Sequence, residues 1–347
     1  GISDTEAFEV VAEAAARVMA GRSEGGTIFR SPRALCDRDR LRVTVPHVAY
    51  LKISEGCDRG CTFCTIPSIR GAYLSKPIGE VVAEAEQLAA DGVRELVLVA
   101  QDTTYYGVDL DGRPQLASLL ARLVDLPGLE WIRLMYLYPM HVTDELIEVV
   151  ASGGKVLPYL DLPLQHVNDQ MLRRMSRRVT RAETERLIDR LRERIDRLVL
   201  RTTLIAGFPG ETESQFGELL RFVAARRFER LGVFPYSPEP GTPAARLEGQ
   251  VSEQVRRSRA EQLLAAQQEI AFAWNASQVG GRLAVIIDRD IPGEENAYVG
   301  RSYADAPEVD GAVYVTGERL EPGQIVPCEI VATRDYDLIG VAVGDPR

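Results

Sequence analysis

Three of the five cysteines in this 347-residue chain lie within eight positions. Cys57, Cys61 and Cys64 have the spacing C-x3-C-x2-C inside a polar, glycine-containing segment, EGCDRGCTFC (55–64). Thiols so close together are poorly placed to pair as structural disulfides, and such a loop is a poor place to bury them. The cluster therefore indicates a metal site in a reducing compartment.

The kind of metal follows from the number of ligands. Structural zinc is the simpler interpretation, but it usually takes four Cys or His ligands in two separated pairs. Cys36 and Cys328 are isolated in the sequence, and His47 and His141 are not at zinc-finger spacing. An iron-sulfur cluster can instead be held by three thiolates, with one iron left open. An open iron can bind the amino and carboxylate groups of S-adenosylmethionine and deliver the electron that breaks its C–S bond into a deoxyadenosyl radical.

The elements around this motif alternate between short apolar runs and helical patterns. Six runs have the composition of strands buried on both faces of a parallel sheet: AYLKIS, ELVLVAQ, WIRLMYLYP, PYLDLPLQH, LVLRTTLIAG and RLGVFPYS. Six such units predict an α/β fold, an open partial (β/α)6 TIM-like barrel with its site at the carboxyl ends of the strands. Polar or glycine-rich stretches follow four of the runs: the cysteines, Gln101-Asp102, Gln165-His166 and Gly207–Glu211.

The remainder of the chain has a different pattern. A helix predicted from Ser252 to about Asn275 closes the α/β region, and short alternating runs over 279–345 predict a small all-β barrel. The first 45 residues contain one helical stretch (4–20), too little for an independent core. We therefore predict a remnant or linker over 1–44, an α/β domain over 45–276 and a β-barrel domain over 277–347.

This combination resembles the radical S-adenosylmethionine superfamily. The resemblance implies that Cys57, Cys61 and Cys64 hold a [4Fe-4S] cluster that binds S-adenosylmethionine. It assigns further positions to contact with S-adenosylmethionine: Phe63 against the adenine, Gln101 and Asp102 at the methionyl amino group, and Gly207 and Gly210 at the adenosyl moiety. His166, at the end of the fourth strand, is a further candidate for contact with the cofactor. It leaves the catalytic residues unknown.

Several of these positions have structural alternatives. Gln101 and Asp102 could form a helix-entry turn, and His166 could serve in strand-end hydrogen bonding. GFPGE (207–211) could be a tight turn that starts a helix, with Glu211 complementing the helix dipole. Cys36, Cys328, His47 and His141 are expected to be structural.

Further motifs narrow the resemblance. SIRG (68–71), AQDTTYYG (100–107), LPLQHVND (162–169), GFPGETE (207–213) and GRSYADAPEVDG (300–311) resemble the methylthiotransferases. That family joins a radical domain to a barrel called TRAM. ADAPEVDG and AQDTTYYG resemble its ribosomal-protein branch, which methylthiolates the β-carbon of an aspartate in the twelfth protein of the small subunit. The tRNA branch, which modifies an adenosine beside the anticodon, is the alternative.

Charge bears on the partner. The chain has 41 Lys and Arg against 51 Asp and Glu, and from residue 279 onward six Arg and no Lys face thirteen Asp and Glu. An acidic barrel suits a basic ribosomal protein better than RNA phosphates. A tight cluster of Arg282, Arg289, Arg301 and Arg319 on one face would reverse this argument. A reductant such as flavodoxin or ferredoxin is also expected as a partner.

The resemblance also predicts a second iron-sulfur cluster, for which the 347 residues do not contain the cysteines. Family members begin with a domain whose three cysteines bind a second iron-sulfur cluster, whereas Cys36 is the sole cysteine before the motif. The natural protein is therefore expected to be longer and to hold a second [4Fe-4S] cluster. This chain is expected to cleave S-adenosylmethionine without completing methylthiolation.

The sequence also bears on location and on alternative functions. No run of eighteen apolar residues and no basic-then-apolar leader pattern is present, so neither a membrane partner nor export is expected and the cytoplasm is predicted. The alternatives of another class are a zinc-holding interaction module and an RNA-binding barrel protein with a degenerate enzyme domain.

Overall fold

A computed structural model describes Met19, Arg42 and residues 44–344. The predicted remnant over 1–44, with its helix over 4–20 and with Cys36, lies outside the described residues apart from Met19, Arg42 and Thr44. Within the described part, none of the helices is both long and apolar enough to cross a bilayer.

The α/β region contains eight strands, six of which form one parallel sheet. In chain order they are β1 (Val48–Lys52), β2 (Ser54–Glu55), β3 (Leu74–Ser75), β4 (Glu95–Val99), β5 (Trp131–Leu134), β6 (Val156–Asp161), β7 (Val199–Ala206) and β8 (Arg230–Pro235). The sheet order is β1-β4-β5-β6-β7-β8, so each strand neighbours the next one of the sheet, and β2 and β3 form a separate small hairpin. This order confirms the predicted open barrel of six βα units.

The described part of the α/β region also contains nine helices, of which the longer ones cover the outer face of the sheet. In chain order they are α1 (Ile66–Arg70), α2 (Ile78–Ala90), α3 (Val108–Asp111), α4 (Leu116–Leu123), α5 (Asp144–Ala151), α6 (Asp169–Arg174), α7 (Arg181–Arg194), α8 (Glu213–Arg226) and α9 (Glu253–Gln278). The apolar stripes of the longer helices pack on buried strand residues, as α2 shows with Val81, Ala85 and Leu88 in the same core cluster as Leu96. The short helices α1 and α3 have no buried residues.

Two helix ends differ from the sequence-based expectation. The Arg- and Glu-rich helical pattern that starts at Arg181 predicts a helix to Arg197, but α7 ends at Arg194. Ile195 is already extended and Arg197 has a positive φ of 55°, which turns the chain toward β7. Helix α9 continues past Asn275 to Gln278, where Val279 becomes extended ahead of the barrel.

The C-terminal part is a closed five-stranded barrel, as predicted. Its strands are β9 (Arg282–Asp290), β10 (Ala297–Ser302), β11 (Val313–Thr316), β12 (Ile325–Arg334) and β13 (Asp337–Ala342), in the order β10-β11-β13-β12-β9. Val285, Val313, Val326 and Ile330 are among the side chains that fill it.

Buried ion pairs join the barrel to the parallel sheet. Glu95 on β4 is fully buried between Arg133 Nε at 2.8 Å and Arg301 Nη1 at 2.6 Å, and Arg301 also contacts Asp288. Burial acts to raise the pKa of Glu95, but Arg301 and Arg133 outweigh it and hold that pKa below its ordinary value. We call these four residues the interface ion network.

A loop of the barrel also packs against the face of the parallel sheet that carries Val97 and Tyr159. Residues 303–310, which we call the wedge loop, follow β10. Asp305 pairs with Arg230 on β8 at 2.7 Å, and Asp310 Oδ2 accepts a 2.6 Å hydrogen bond from Tyr159 Oη on β6. The loop therefore packs against strands that also lead to the candidate site.

Candidate functional site

The cysteine segment follows β2 and is shaped by the backbone. Gly56 has a φ of +77°, and a Cβ there would lie 2.1 Å from the carbonyl oxygen of Ala72. This close approach lets Cys57 N donate a 3.1 Å hydrogen bond to Gly71 O. Only glycine combines such a φ with contact between two backbone segments, so the position before Cys57 fixes where the motif starts.

Backbone amides point at two of the sulfurs. Arg59 N donates to Cys57 Sγ and Ile66 N donates to Cys64 Sγ, each at 3.4 Å. Burial raises the pKa of Cys57 to about 11 and also raises the pKa of Cys64. Burial therefore favours the protonated thiols of Cys57 and Cys64, and the donated N–H groups suit sulfurs that become thiolates when a cationic group binds.

The arrangement does not support a single zinc ion. One zinc ion would need its cysteine sulfurs at Zn–S distances of roughly 2.3 Å. In the described residues, no three His, Cys, Asp or Glu side chains come close enough together to bind one metal ion. The three thiols nevertheless line one cavity. A larger group with three attachment points suits this donor set better than a mononuclear zinc site.

That cavity has a volume of about 650 Å³ and lies at the carboxyl ends of the parallel strands. Its wall is contributed by β1, β4, β7 and β8, by the segments that follow β5 and β6, and by the wedge loop. Besides the cysteines it includes Lys52, Arg59, Phe63, Gln101, Tyr136, Tyr138, Gln165, Arg177, Arg201, Thr203, Phe234 and Val309. A cavity of this size accommodates a small-molecule cofactor.

Two buried amide oxygens in the wall have no hydrogen-bond partner among the described residues. The Oε1 atoms of Gln101 and Gln165 are buried, and neither has a hydrogen-bond partner within the part of the chain that the structure describes. Gln165 also has a positive φ of 69°, as does nearby Tyr136 at 59°. Buried unpaired acceptors and strained backbone collect at ligand sites, so these atoms fit the N–H and O–H donors of a bound S-adenosylmethionine.

Phe63 lies in the cavity wall. Its ring meets Phe208 edge to face with 6.4 Å between centroids, and it packs on a buried cluster that includes Met171 and Met175. The ring is therefore held from behind while it contributes to the cavity surface.

Asp102 lies behind the cavity wall. Its carboxylate accepts hydrogen bonds from Tyr105 N and the Thr104 hydroxyl, which caps the short 3-10 helix Thr103–Tyr105. It also pairs with Arg59, which does line the cavity, at 2.7 Å. The helix-entry alternative describes Asp102, whereas Gln101 directly before it reaches the cavity.

His166 is likewise withdrawn from the cavity. Its Nδ1 accepts from Val167 N and Asn168 N, so Nε2 carries the proton and donates to Glu211 Oε1 at 3.0 Å. Both ring nitrogens are used and the side chain has no exposed surface. The strand-end alternative therefore describes His166, and a direct contact with a ligand is not supported by this geometry.

The two glycines of the GFPGE turn also face protein. Glu211 Oε2 accepts from Gly207 N at 2.8 Å and pairs with Arg259 at 2.7 Å. A Cβ on Gly207 would lie 2.3 Å from Cγ of Arg256, and one on Gly210 would lie 3.0 Å from the guanidinium of Arg174. Neither glycine lines the cavity, so the close approach that they permit is to arginine side chains.

The remaining predicted positions have structural surroundings. His47 Nε2 lies 3.0 Å from Asp288 Oδ1 across the domain interface, and Cys328 is fully buried in the barrel core. The His141 ring meets Tyr105 edge to face at 5.3 Å. Burial, together with the nearby charge of Arg59, lowers the pKa of His141.

Sequence reasoning missed a stack of cations and rings beside the cysteines. The guanidiniums of Arg59 and Arg177 lie over the ring of Tyr138, at 4.6 and 4.2 Å from its centroid, and Arg177 Nη1 lies 4.0 Å from Cys61 Sγ. Arg59 could have been suspected from its place inside the motif. Arg177 carries no local signal, because it reaches the site from beyond helix α6.

One arginine at the cavity is shared by two carboxylates. Arg201, which lines it, contacts Asp161 at 2.9 Å and Asp310 of the wedge loop at 3.7 Å. Burial raises the pKa of Asp161 even though Arg201 opposes that shift. Two carboxylates thus share one guanidinium.

Comparison with known proteins agrees with this architecture. Residues 51–223 match the model of the radical SAM superfamily, and residues 279–343 match a TRAM domain. The coproporphyrinogen III oxidase HemN of Escherichia coli, described as a radical SAM enzyme, has the same fold, with a TM-score of 0.50 and 17% identity over 75% of this chain and 68% of its own.

Sequence relatives are more similar. The ribosomal protein uS12 methylthiotransferase RimO of Anaeromyxobacter sp. (strain Fw109-5) is 49% identical over 309 residues, which are 89% of this chain and 66% of that protein. RimO of Lachnoclostridium phytofermentans is 44% identical over 342 residues, 97% of this chain and 77% of that protein. The chain thus spans slightly less than two thirds of the Anaeromyxobacter relative.

The fold and site define a class: a radical SAM enzyme domain that carries a TRAM barrel. The relatives narrow that class, since their identity to this chain extends across both domains. The chain belongs to the RimO family of methylthiotransferases.

Proposed function

We propose that this protein uses radical S-adenosylmethionine chemistry to add a methylthio group to the β-carbon of an aspartate in ribosomal protein uS12. The observation that carries the proposal is one cavity that gathers the three cysteines and two unpaired amide oxygens at the strand ends, in a chain 44% to 49% identical to uS12 methylthiotransferases.

The residues of the cavity divide the work of holding the cofactors. Cys57, Cys61 and Cys64 would ligate a [4Fe-4S] cluster, which together with S-adenosylmethionine supplies one-electron cleavage of a C–S bond. Phe63 offers an apolar wall for a flat ring, and the oxygens of Gln101 and Gln165 accept from N–H or O–H groups. These contacts orient the ligand and exclude water.

Four residues that sequence reasoning placed in contact with S-adenosylmethionine are proposed instead to hold other residues of the cavity wall in position. Asp102 fixes Arg59 in the wall, and His166 fixes the turn through Glu211. Gly207 and Gly210 let that turn pack on arginines. They are positioning residues for the loops that border the cavity.

The charge of the barrel favours uS12 over tRNA. Arg301 is buried in the interface ion network and is unavailable to phosphate. Arg282 and Arg289 are at opposite ends of β9, about 23 Å apart at the rise of an extended strand. The cluster of four arginines that would have favoured RNA therefore does not form. The tRNA adenosine reaction remains the second candidate because the cavity itself does not discriminate between the two substrates.

We also propose where the reductant docks. The exposed side chains of Arg173 and Arg178 border a concavity of about 440 Å³ with Gly60 and Arg177, next to Cys61. In the described part of the chain, neither exposed guanidinium has a hydrogen bond or ion pair. An acidic electron carrier such as flavodoxin or ferredoxin fits this patch by charge and by proximity to the cluster ligand.

Several assignments extend beyond the cavity. We propose domain limits of 45–276 and 277–347, and a cytoplasmic location. A second [4Fe-4S] cluster, which would supply the sulfur, belongs outside residues 44–344, because the described part offers beyond the motif just Cys328, buried in the barrel.

The test has two parts. After anaerobic reconstitution with iron and sulfide, the chain should be brown and should release 5'-deoxyadenosine from S-adenosylmethionine with dithionite. Cys61→Ala should abolish both properties, whereas the matched control Cys328→Ala should keep them. Mass spectrometry of uS12 and tRNA from cells with and without the gene should then show a methylthio gain on uS12. A gain on tRNA alone would reject the uS12 assignment.

A further inference from the structure

The opening of the cavity has an apolar rim. Tyr136, Phe234 and Val309 all line the cavity, yet their side chains are 48%, 59% and 54% exposed. They come from three separate places: the loop after β5, the end of β8 and the wedge loop. Large apolar side chains gathered at one opening mark a contact surface rather than scattered surface residues.

The wedge loop holds its part of the rim firmly. Asp310 Oδ2 accepts hydrogen bonds from Tyr159 Oη at 2.6 Å and from Ala306 N at 2.9 Å. Glu308, next to Val309, has a positive φ of 67°. A non-glycine residue keeps such a conformation only where its surroundings impose it, so Val309 and Glu308 are presented in a fixed geometry.

One carboxylate at this rim has no cationic partner among the described residues. Lys52 and Arg70 share Glu55, and Arg201 is shared by Asp161 and Asp310. Glu308 is exposed and has no ion pair within the described residues.

The cations deeper in the cavity do not offset this charge. Arg59 is neutralised by Asp102. Arg177, the lining cation without a carboxylate partner among the described residues, is buried beside Cys61 and Tyr138. A phosphate backbone would be repelled at the rim, whereas a basic polypeptide would be attracted.

We propose that Tyr136, Phe234 and Val309, with Glu308, form a clamp that seats the substrate loop of uS12 over the cavity. The occupant is a polypeptide loop that presents an apolar side chain to the clamp and a Lys or Arg to Glu308. The inference rests on the proposed function and deepens it, because the TRAM barrel then selects the substrate at the reaction site itself through its wedge loop.

The experiment measures binding of purified uS12 to the reconstituted 347-residue chain in the presence of S-adenosylmethionine. Phe234→Ala and Val309→Ala should each raise Kd about tenfold, the effect of truncating an interface anchor. Glu308→Lys should raise it further, most at low salt. The matched control is Val331→Ala, on an equally exposed valine (47%) of β12, and its Kd should stay within twofold of the unsubstituted chain. Circular dichroism and thermal unfolding verify that each variant folds.

The outcomes separate this inference from the proposed function. If the unsubstituted chain binds uS12 and the clamp variants bind it like Val331→Ala, the clamp is wrong and the proposed function stands. If the chain binds tRNA and not uS12, the proposed function fails. If the clamp variants weaken tRNA binding instead, the opening accepts nucleic acid and the clamp is likewise overturned.

Discussion

Gln165 has a backbone and side-chain conformation that is energetically unfavourable in the protein alone. Its N–H donates to Thr203 O at 2.8 Å and its carbonyl accepts from Ile205 N at 2.9 Å, so β7 fixes its backbone on both sides. The residue nevertheless has a positive φ, and its amide oxygen is buried with no partner in the part of the chain that the structure describes. Both features are unfavourable in the protein alone, which is the pattern expected of a ligand contact.

Gln165→Met should separate stability from binding. The variant keeps the volume of the side chain and removes the unpaired oxygen, so the free energy of unfolding should rise by about 1 kcal/mol. Affinity of the reconstituted protein for S-adenosylmethionine should fall about tenfold, as expected when one buried hydrogen bond is lost. Urea unfolding and calorimetric titration measure the two quantities. Gln262→Met, on the exposed face of α9, should change neither, and an unaltered affinity of Gln165→Met would show that the oxygen does not contact the ligand.

Spacing indicated the cysteine triplet, and the resemblance to the superfamily assigned Phe63 and Gln101 to S-adenosylmethionine; all five side chains line the cavity. Position at a strand end chose His166 rather than Gln165. Gln165 has a positive φ of 69° and reaches the cavity, whereas the next side chain, His166, is buried in the protein interior. The direction of that side chain depends on hydrogen bonds from distant residues such as Glu211, which no local pattern reveals.

The loop that carries the cysteines depends on a hairpin of two-residue strands. β2 and β3 bracket residues 56–73, and Ser75 at the end of β3 is bound by both carboxylate oxygens of Asp109 at 2.5 and 2.8 Å. Strands of two residues leave no periodicity in the sequence, and their partner is far along the chain. The hairpin was therefore not predicted, in contrast to the six long apolar strands.

Gly56→Ala should damage this hairpin. The new Cβ would meet Ala72 O, and the positive φ adds a conformational penalty. The two effects together should lower the free energy of unfolding by at least about 2 kcal/mol. Iron bound per chain after reconstitution should fall as well, because Cys57 is displaced.

Gly60→Ala is the matched control for this loop. A Cβ at position 60 meets no atom within 4 Å, and its φ is not in the left-handed region. Stability and iron content should stay near those of the unsubstituted chain. Equal iron content in Gly56→Ala would mean that the cluster ligands do not depend on the close approach at residue 56.

At the scale of the whole molecule, a net charge of −10 opposes the approach of an acidic electron carrier. The patch formed by Arg173 and Arg178 is where that repulsion would be locally reversed. Arg173→Glu combined with Arg178→Glu should lower 5'-deoxyadenosine formation driven by reduced flavodoxin at least about tenfold. Formation driven by dithionite should change less than twofold.

A charge-reversal control outside the patch and the comparison of the two reductants make this prediction specific. Arg221→Glu, on the exposed face of α8, changes the charge of the molecule away from the patch and should leave both rates nearly unaltered. If the two arginine reversals slow the dithionite reaction as much as the flavodoxin reaction, the patch supports the site itself rather than the docking of a partner.

The interface ion network has a consequence for recombination between family members. A barrel taken from another TRAM protein would bring its own residues to positions 288 and 301. If the residue at position 301 were not a cation, Glu95 would be buried without the ion pair that Arg301 provides. Leaving a buried charge without its partner costs about 3 to 5 kcal/mol, a large part of the stability of a domain. A working chimera therefore needs Glu95 and Arg133 from the barrel's own parent, so the unit that can be exchanged includes part of the parallel sheet.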